Sequence, residues 1–187
     1  DAEGPISGTE YMTHNNLRGS VCTALFRKEI LHDLRFPKGI LHEDEEFTPQ
    51  LMLRAENLYF TNNKAYYYRK REGSIMHKRD KRWHIRRLSD AEQVLYRLKE
   101  RVDYLPVKER IAMERRIAQL TMDHIYNVIR LTHDETHLDH VLQRLSRHGL
   151  FPLPDKDYTS KYKWFRRMTN SSFGRKTLIM LLRLNTR

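Results

Sequence analysis

The chain has 187 residues, with 35 Lys and Arg against 24 Asp and Glu, for a net charge of +11. Its 39% hydrophobic content suffices for a core and argues against intrinsic disorder, and the single cysteine, Cys22, excludes an intrachain disulfide. No apolar run approaches the ~20 residues that span a bilayer and no signal peptide opens the chain, so it reads as cytoplasmic and as one domain, or one large piece of a bigger protein.

Residues 20–31, SVCTALFRKEIL, set Val21, Leu25, Ile30 and Leu31 broadly on one helical face and predict a helix, with Cys22 as a buried thiol. RFPKG is a turn signal through Pro37 and Gly39. EDEEFTPQLMLRAE then predicts a second helix, with Phe47, Leu51 and Ala55 at spacings of four and Pro49 close enough to its start to be tolerated. Acids in a first turn complement the helix dipole, and Glu45 and Glu46 are assigned to its solvated surface. NLYFTN and KAYYYRK are short aromatic-rich runs that predict two strands in a hairpin.

From Arg82 the pattern is helical. LSDAEQVLYRLKERV carries Ala91, Leu95 and Leu98 on one side. After the break at Pro106 a long helix follows over residues 107–131, with Ile111, Ile117, Leu120, Ile125, Val128 and Ile129 as its apolar positions. Residues 134–148 predict a third helix, stopped by Gly149. FPLPDKDY is a turn-rich break, and residues 174–184 a short apolar helix flanked by basic residues. The expected class is therefore α/β, rich in α, in three segments. Residues 1–80 form a mixed part with a short strand pair, 81–150 a helical region and 151–187 a basic amphipathic tail.

The positive charge is localised. From Lys161 to the end there are eight Lys or Arg and no acid, and a second basic cluster, YYYRKREGSIMHKRDKRWHIRR, covers residues 66–87. Such clusters favour phosphate-bearing partners: nucleic acid, anionic lipid headgroups or nucleotide diphosphates. The tail has two readings, a helix lying in an anionic membrane interface or a terminal helix docked on the core with a solvated basic face. His133, His137 and His140 in THDETHLDH have metal-ligand spacing but read as a surface histidine face, lacking the Glu of an HExxH site and any cysteine partner. Asp155-Lys156-Asp157 reads as turn chemistry.

The order FPKGILHEDEEF, then a helix, then KAYYYRKREGSIMH resembles the second half of the catalytic domain of family-2, GT-A-type glycosyltransferases. There an F-x-x-G turn leads into a Glu-Asp pair opening a helix, and Y-x-Y-R and R-x-x-S-I follow. The resemblance covers roughly residues 17–80, and ALFRKEIL is similar to the segment beneath the acceptor site. It implies inverting transfer of a sugar from a nucleotide-sugar donor to a carbohydrate or lipid-linked acceptor hydroxyl, in bacterial-type polysaccharide or glycolipid synthesis. Asp44 would be the base that takes the acceptor proton, and Glu43 would position the acceptor. Arg69 and Arg71 would neutralise the diphosphate, with Ser74 and Ile75 shaping the loop. His77 would contact the diphosphate or complete a divalent cation site, Mg or Mn.

No Asp-x-Asp precedes the Glu-Asp pair here. The resemblance thus implies that the nucleotide-binding half, which would hold most of the cation's ligands, lies outside this chain, and that the chain alone is inactive. Peripheral seating on the inner face of the membrane would suit a lipid-linked acceptor. The competing reading is a basic helical module that binds nucleic acid, with Tyr66, Tyr67, Tyr68 and Trp83 as stacking platforms among arginines. It accounts for the charge but not for four consecutive carboxylates, which repel a phosphate backbone.

Overall fold

The computed structural model describes residues 2–69 and 80–184. The described elements are strand β1 (Ala2–Ile6), helices α1 (Gly8–His14) and α2 (Glu43–Leu53), strand β2 (Leu58–Thr61), and helices α3 (Lys81–Val102), α4 (Val107–Thr132), α5 (Glu135–Arg147), α6 (Ser160–Asn170) and α7 (Ser172–Leu184).

The long α4 organises the rest. Its 26 residues give it a length of ~39 Å, and α1, α2, α3, α5, α6 and α7 all pack against it. The reason is compositional: Ala112, Met113, Ile117, Met122, Ile125, Val128 and Ile129 leave apolar surface around most of its circumference. One continuous core joins Met12 of α1, Leu95 and Leu98 of α3, Leu138 and Leu145 of α5, Phe165 of α6 and Leu178 of α7 to this helix. A second, smaller cluster of Leu34, Phe47 and Leu51 sits on the inner face of α2, where Val21, Phe26, Ile30 and Leu31 cover it.

Polar side chains fix the N-terminal segment to α4. Arg115 donates to the carbonyl oxygens of Met12, Asn15 and Asp157 and to Asn16 Oδ1. Gln119 both accepts from the Leu17 amide, at 3.2 Å, and donates to the Leu17 carbonyl, at 3.3 Å. Gly8 carries the opposite constraint. A Cβ there would lie 1.9 Å from the Met52 carbonyl oxygen, which is backbone and cannot yield. Gly8→Ala is therefore expected to destabilise the protein by about 2–3 kcal/mol, read as a lowered urea midpoint, because the overlap must be relieved by separating α1 from α2.

Several sequence expectations are corrected. Residues 20–31 do not form one helix but two 3-10 segments, Val21–Thr23 and Lys28–Leu31, with an extended stretch between. With the chain extended there, Leu25 points fully into solvent rather than sharing a face with Ile30. Cys22 is half-buried, with its Sγ 3.1 Å from Ser20 Oγ, rather than a buried thiol. Among the described residues no hairpin forms between 58–61 and the aromatic run: β2 pairs antiparallel with β1 (Glu3↔Phe60, Ile6↔Leu58) and residues 62–69 are irregular. Pro49 lies in the second turn of α2, near its start as expected.

The three long helices over 81–147 form as the periodicity predicts, within a few residues. The tail contains two helices rather than one, with α6 preceding α7. Leu178 is buried, so α7 docks on the core, while Phe173, Met180 and Leu184 face outward. Among the described residues no helix is long and apolar enough to cross a membrane.

Candidate active site at the start of helix α2

The four consecutive acids open α2, as the dipole argument requires, but the structure sorts them differently from the sequence. Glu46, expected at the surface, has a side chain only 5% exposed and lies 3.5 Å from Arg97 and 3.9 Å from Arg101 on α3. Glu45, also expected at the surface, pairs with Arg116 of α4, whose side chain is 2% exposed. The correction has a simple cause. Both faces of this first turn are covered, one by α3 and the other by α4, so only Glu43 remains exposed.

Asp44 is half-buried, and neither it nor Glu43 enters an ion pair with another described residue. Burial holds the Asp44 carboxyl above the usual carboxylate range, and the neighbouring Glu43 charge adds to the effect. First-turn amides and Arg116 act the other way but do not offset it. Glu45 and Asp123 are raised by burial as well. Arg116 is thus the central cation of a carboxylate group of Asp44, Glu45 and Asp123, and burial also presses its own pKa downward. Tyr162 of α6 completes the cluster by donating to Asp123 Oδ1 at 2.6 Å. Space for Glu45 comes from Gly19, where a Cβ would fall 2.1 Å from Glu45 Oε2.

The turn that aims α2 is gripped by α3. Arg86 Nη2 donates to the Gly39 carbonyl at 3.0 Å, and the Leu41 amide donates to Asp90 Oδ2 at 2.9 Å. Arg86 itself lies 3.6 Å from Asp90. Gly39 has φ +79°, which a residue with a side chain seldom adopts. Phe36 stacks on Phe47 with ring centroids 3.9 Å apart, tying the start of the turn to the buried face of α2.

His42 takes the N-cap position in a left-handed conformation, φ 65° and ψ 30°. Its Nε2 accepts from Arg87 Nε at 3.3 Å. Burial, reinforced by Arg87, depresses its pKa to about 4, so its ring is neutral near pH 7. The sequence assigned His42 no role. The available signal was its position immediately before the Glu-Asp pair, and nothing in its spacing revealed the burial. With Glu45, Arg87, Asp123 and His124 it borders a small cavity of ≈ 70 Å³ between α2, α3 and α4.

Of the expected phosphate-binding groups, Arg69 alone is among the described residues. Arg69 is exposed at the end of the irregular stretch, and no described hydrogen bond or ion pair joins it to Glu43 or Asp44. Arg71, Ser74, Ile75 and His77 lie outside the described residues. Tyr66, Tyr67 and Tyr68 are exposed, with the rings of Tyr66 and Tyr68 6.4 Å apart. His133 ends α4 in a left-handed conformation while His137 and His140 lie exposed on α5, so the three do not share one helix face. Asp155 and Asp157 are structural, pairing with Arg166 at 3.2 Å and Lys163 at 3.4 Å. Among the described residues no group of three or more His, Cys, Asp or Glu is placed to hold a metal ion.

No protein-family model, no curated protein and no solved structure matches this chain.

Proposed function

We propose that this chain is the acceptor-side portion of an inverting glycosyltransferase of the GT-A type, with Asp44 as the base that deprotonates the acceptor hydroxyl. The observation that carries this reading is the division of labour within the acidic run. Glu45 and Glu46 are consumed by Arg116 and by Arg97 and Arg101, whereas Asp44 is half-buried, in no described ion pair and raised in pKa. A carboxylate that burial makes more basic is a better proton acceptor than an exposed one, provided it is ionised at the working pH. The transfer then forms a bond from the acceptor oxygen to the anomeric carbon and breaks the bond to the nucleoside diphosphate, while the hydroxyl proton passes to Asp44.

Glu43, one residue earlier and exposed, is assigned to holding the acceptor hydroxyls. The Gly39–His42 turn, fixed by Arg86, Arg87 and Asp90, keeps the pair at one orientation. Neutralisation of the diphosphate is assigned to Arg69 and Arg71, with Ser74 and His77 beside them, and the donor half and its Mg or Mn to a part of the protein outside these residues. The nucleic-acid reading has the exposed tyrosines in its favour. It gives no role to a partly buried carboxylate group around Arg116.

Asp44→Asn in the full-length protein is expected to lower kcat for sugar transfer by at least ~10²-fold, with nucleotide-sugar affinity unchanged, since general-base catalysis contributes on that order. Turnover within about twofold of wild type would overturn the assignment. The substitution also removes a carboxylate that burial disfavours. It should therefore raise the urea midpoint above the carboxylate range and leave it unchanged in acid, where Asp44 is already protonated.

A further inference from the structure

Helix α7 is held from one side only. Gly174 and Leu178 are buried, and a Cβ at Gly174 would lie 2.2 Å from the Met168 carbonyl oxygen, so this side of α7 seats directly on the end of α6. The other side carries Phe173, Lys176, Met180 and Leu184, at spacings of three and four that align them along one face. Phe173 is 81% exposed, Met180 58% and Leu184 61%. Single apolar residues on a surface are ordinary, but three aligned on the outer face of one helix form a patch of the kind that marks a contact site.

The charges beside the patch indicate what it contacts. Lys176 and the exposed Arg183 border the apolar stripe. Lys176 lies 3.6 Å from Glu135 of α5, but both side chains are half exposed or more, and a pair so solvated leaves the ammonium able to meet another anion. From Lys161 onward the chain has eight Lys or Arg and no acid. An apolar stripe with cations at its border matches a lipid interface, where apolar side chains reach the acyl boundary and cations meet headgroup phosphates. With 13 residues α7 is ~20 Å long, too short to cross a bilayer, so it would lie in the plane of the interface. Two other occupants fit less well. A second copy related by a two-fold axis would bring Lys176 and Arg183 against the same cations of its partner. Nucleic acid would supply phosphates, but its bases stack on aromatic rings, which Met180 and Leu184 do not offer.

We propose that the outer face of α7 docks the protein on an anionic lipid surface, with Phe173, Met180 and Leu184 inserted to the acyl boundary and Lys176 and Arg183 at the headgroups. The inference does not depend on the role given to Asp44, which lies on another helix.

Co-sedimentation of the chain with vesicles of phosphatidylcholine containing about 30% phosphatidylserine tests it, with half-saturation expected below about 1 mM accessible lipid. Because any strongly basic protein adheres to anionic lipid, the variants decide. Phe173→Ser/Met180→Ser keeps the charge and should weaken binding by at least ~10-fold. Tyr104→Ser/Val107→Ser, which removes two equally exposed apolar residues from the α3–α4 connection, should bind like wild type. Lys176→Ser/Arg183→Ser should also weaken binding to the anionic vesicles, by ~10-fold. All these side chains are exposed, so circular dichroism should show unchanged helix content; Leu184→Ser, in the last described turn, repeats the test if the first variant does not fold. The proposal fails if the chain does not sediment with the anionic vesicles, or if the Phe173/Met180 variant binds them as wild type does, charge alone then accounting for the adhesion. It fails equally if the Tyr104/Val107 variant loses as much. A dimer in light scattering that the Phe173/Met180 substitutions convert to monomer would assign the face to a second copy, and loss of oligouridylate binding in the same variant would assign it to nucleic acid; either overturns the lipid reading.

Discussion

Arg116→Met lowers stability by about 3–5 kcal/mol in the outcome we expect, the cost of removing one partner from a buried ionic group. The guanidinium is 2% exposed and serves the Glu45 carboxylate and the Leu17 carbonyl at once, with Asp44 and Asp123 close enough to feel its charge. Without it, partly buried carboxylates face one another with no cation between them. They must then take up protons or open the α2–α4 contact. Burial already presses Arg116 and Glu45 toward their neutral forms, so the pair itself adds little net stability. The double variant Arg116→Met/Glu45→Met should recover at least half of the loss, as read from urea midpoints. A single-variant loss below ~1 kcal/mol would mean that water, not protein, solvates these acids.

His42 gives the second large effect, a dependence on pH with a defined sign. In the unfolded chain it takes a proton near its ordinary value of 6.5, whereas in the folded protein it does so only at about 4. The unfolded state therefore binds more protons between those values, and the contribution of His42 is lost as pH falls through that window. Its size is on the order of 3 kcal/mol. The groups facing the ring are Arg87 and His124, which oppose its charging, and Asp90, which favours it. Asp44, Glu45 and Asp123 act in the opposite direction, because a raised acid gains stability on protonation. The informative quantity is thus the difference between wild type and His42→Asn, which keeps both an acceptor and tolerance for the left-handed conformation. The variant should lose less stability than wild type between pH 6.5 and 4. Parallel curves would remove His42 from the account.

The sequence was readable where one face of one helix decides the outcome. The stripes of α3, α4 and α5 appear in the apolar spacing because each of these helices buries a continuous side against its neighbours. It was misleading where the decision belonged to a distant segment. Nothing in LYFT indicates that its strand partner is AEGPI at the start of the chain, and a nearby aromatic run offered a more obvious one. Glu45 and Glu46 are chemically equivalent to Glu43 in the sequence, and only the arrival of Arg116, Arg97 and Arg101 from α3 and α4 distinguishes them. Asp44 could be singled out by resemblance, but its partial burial could not.

The hold of α3 on the turn before α2 has a practical consequence for anyone transplanting this acidic turn. Nine residues from Gly39 to Phe47 contain the whole acidic signature, yet their bearing is set by Arg86, Arg87 and Asp90, more than forty positions downstream. Moved into a foreign scaffold without that second helix, the cassette would keep its letters and lose its aim.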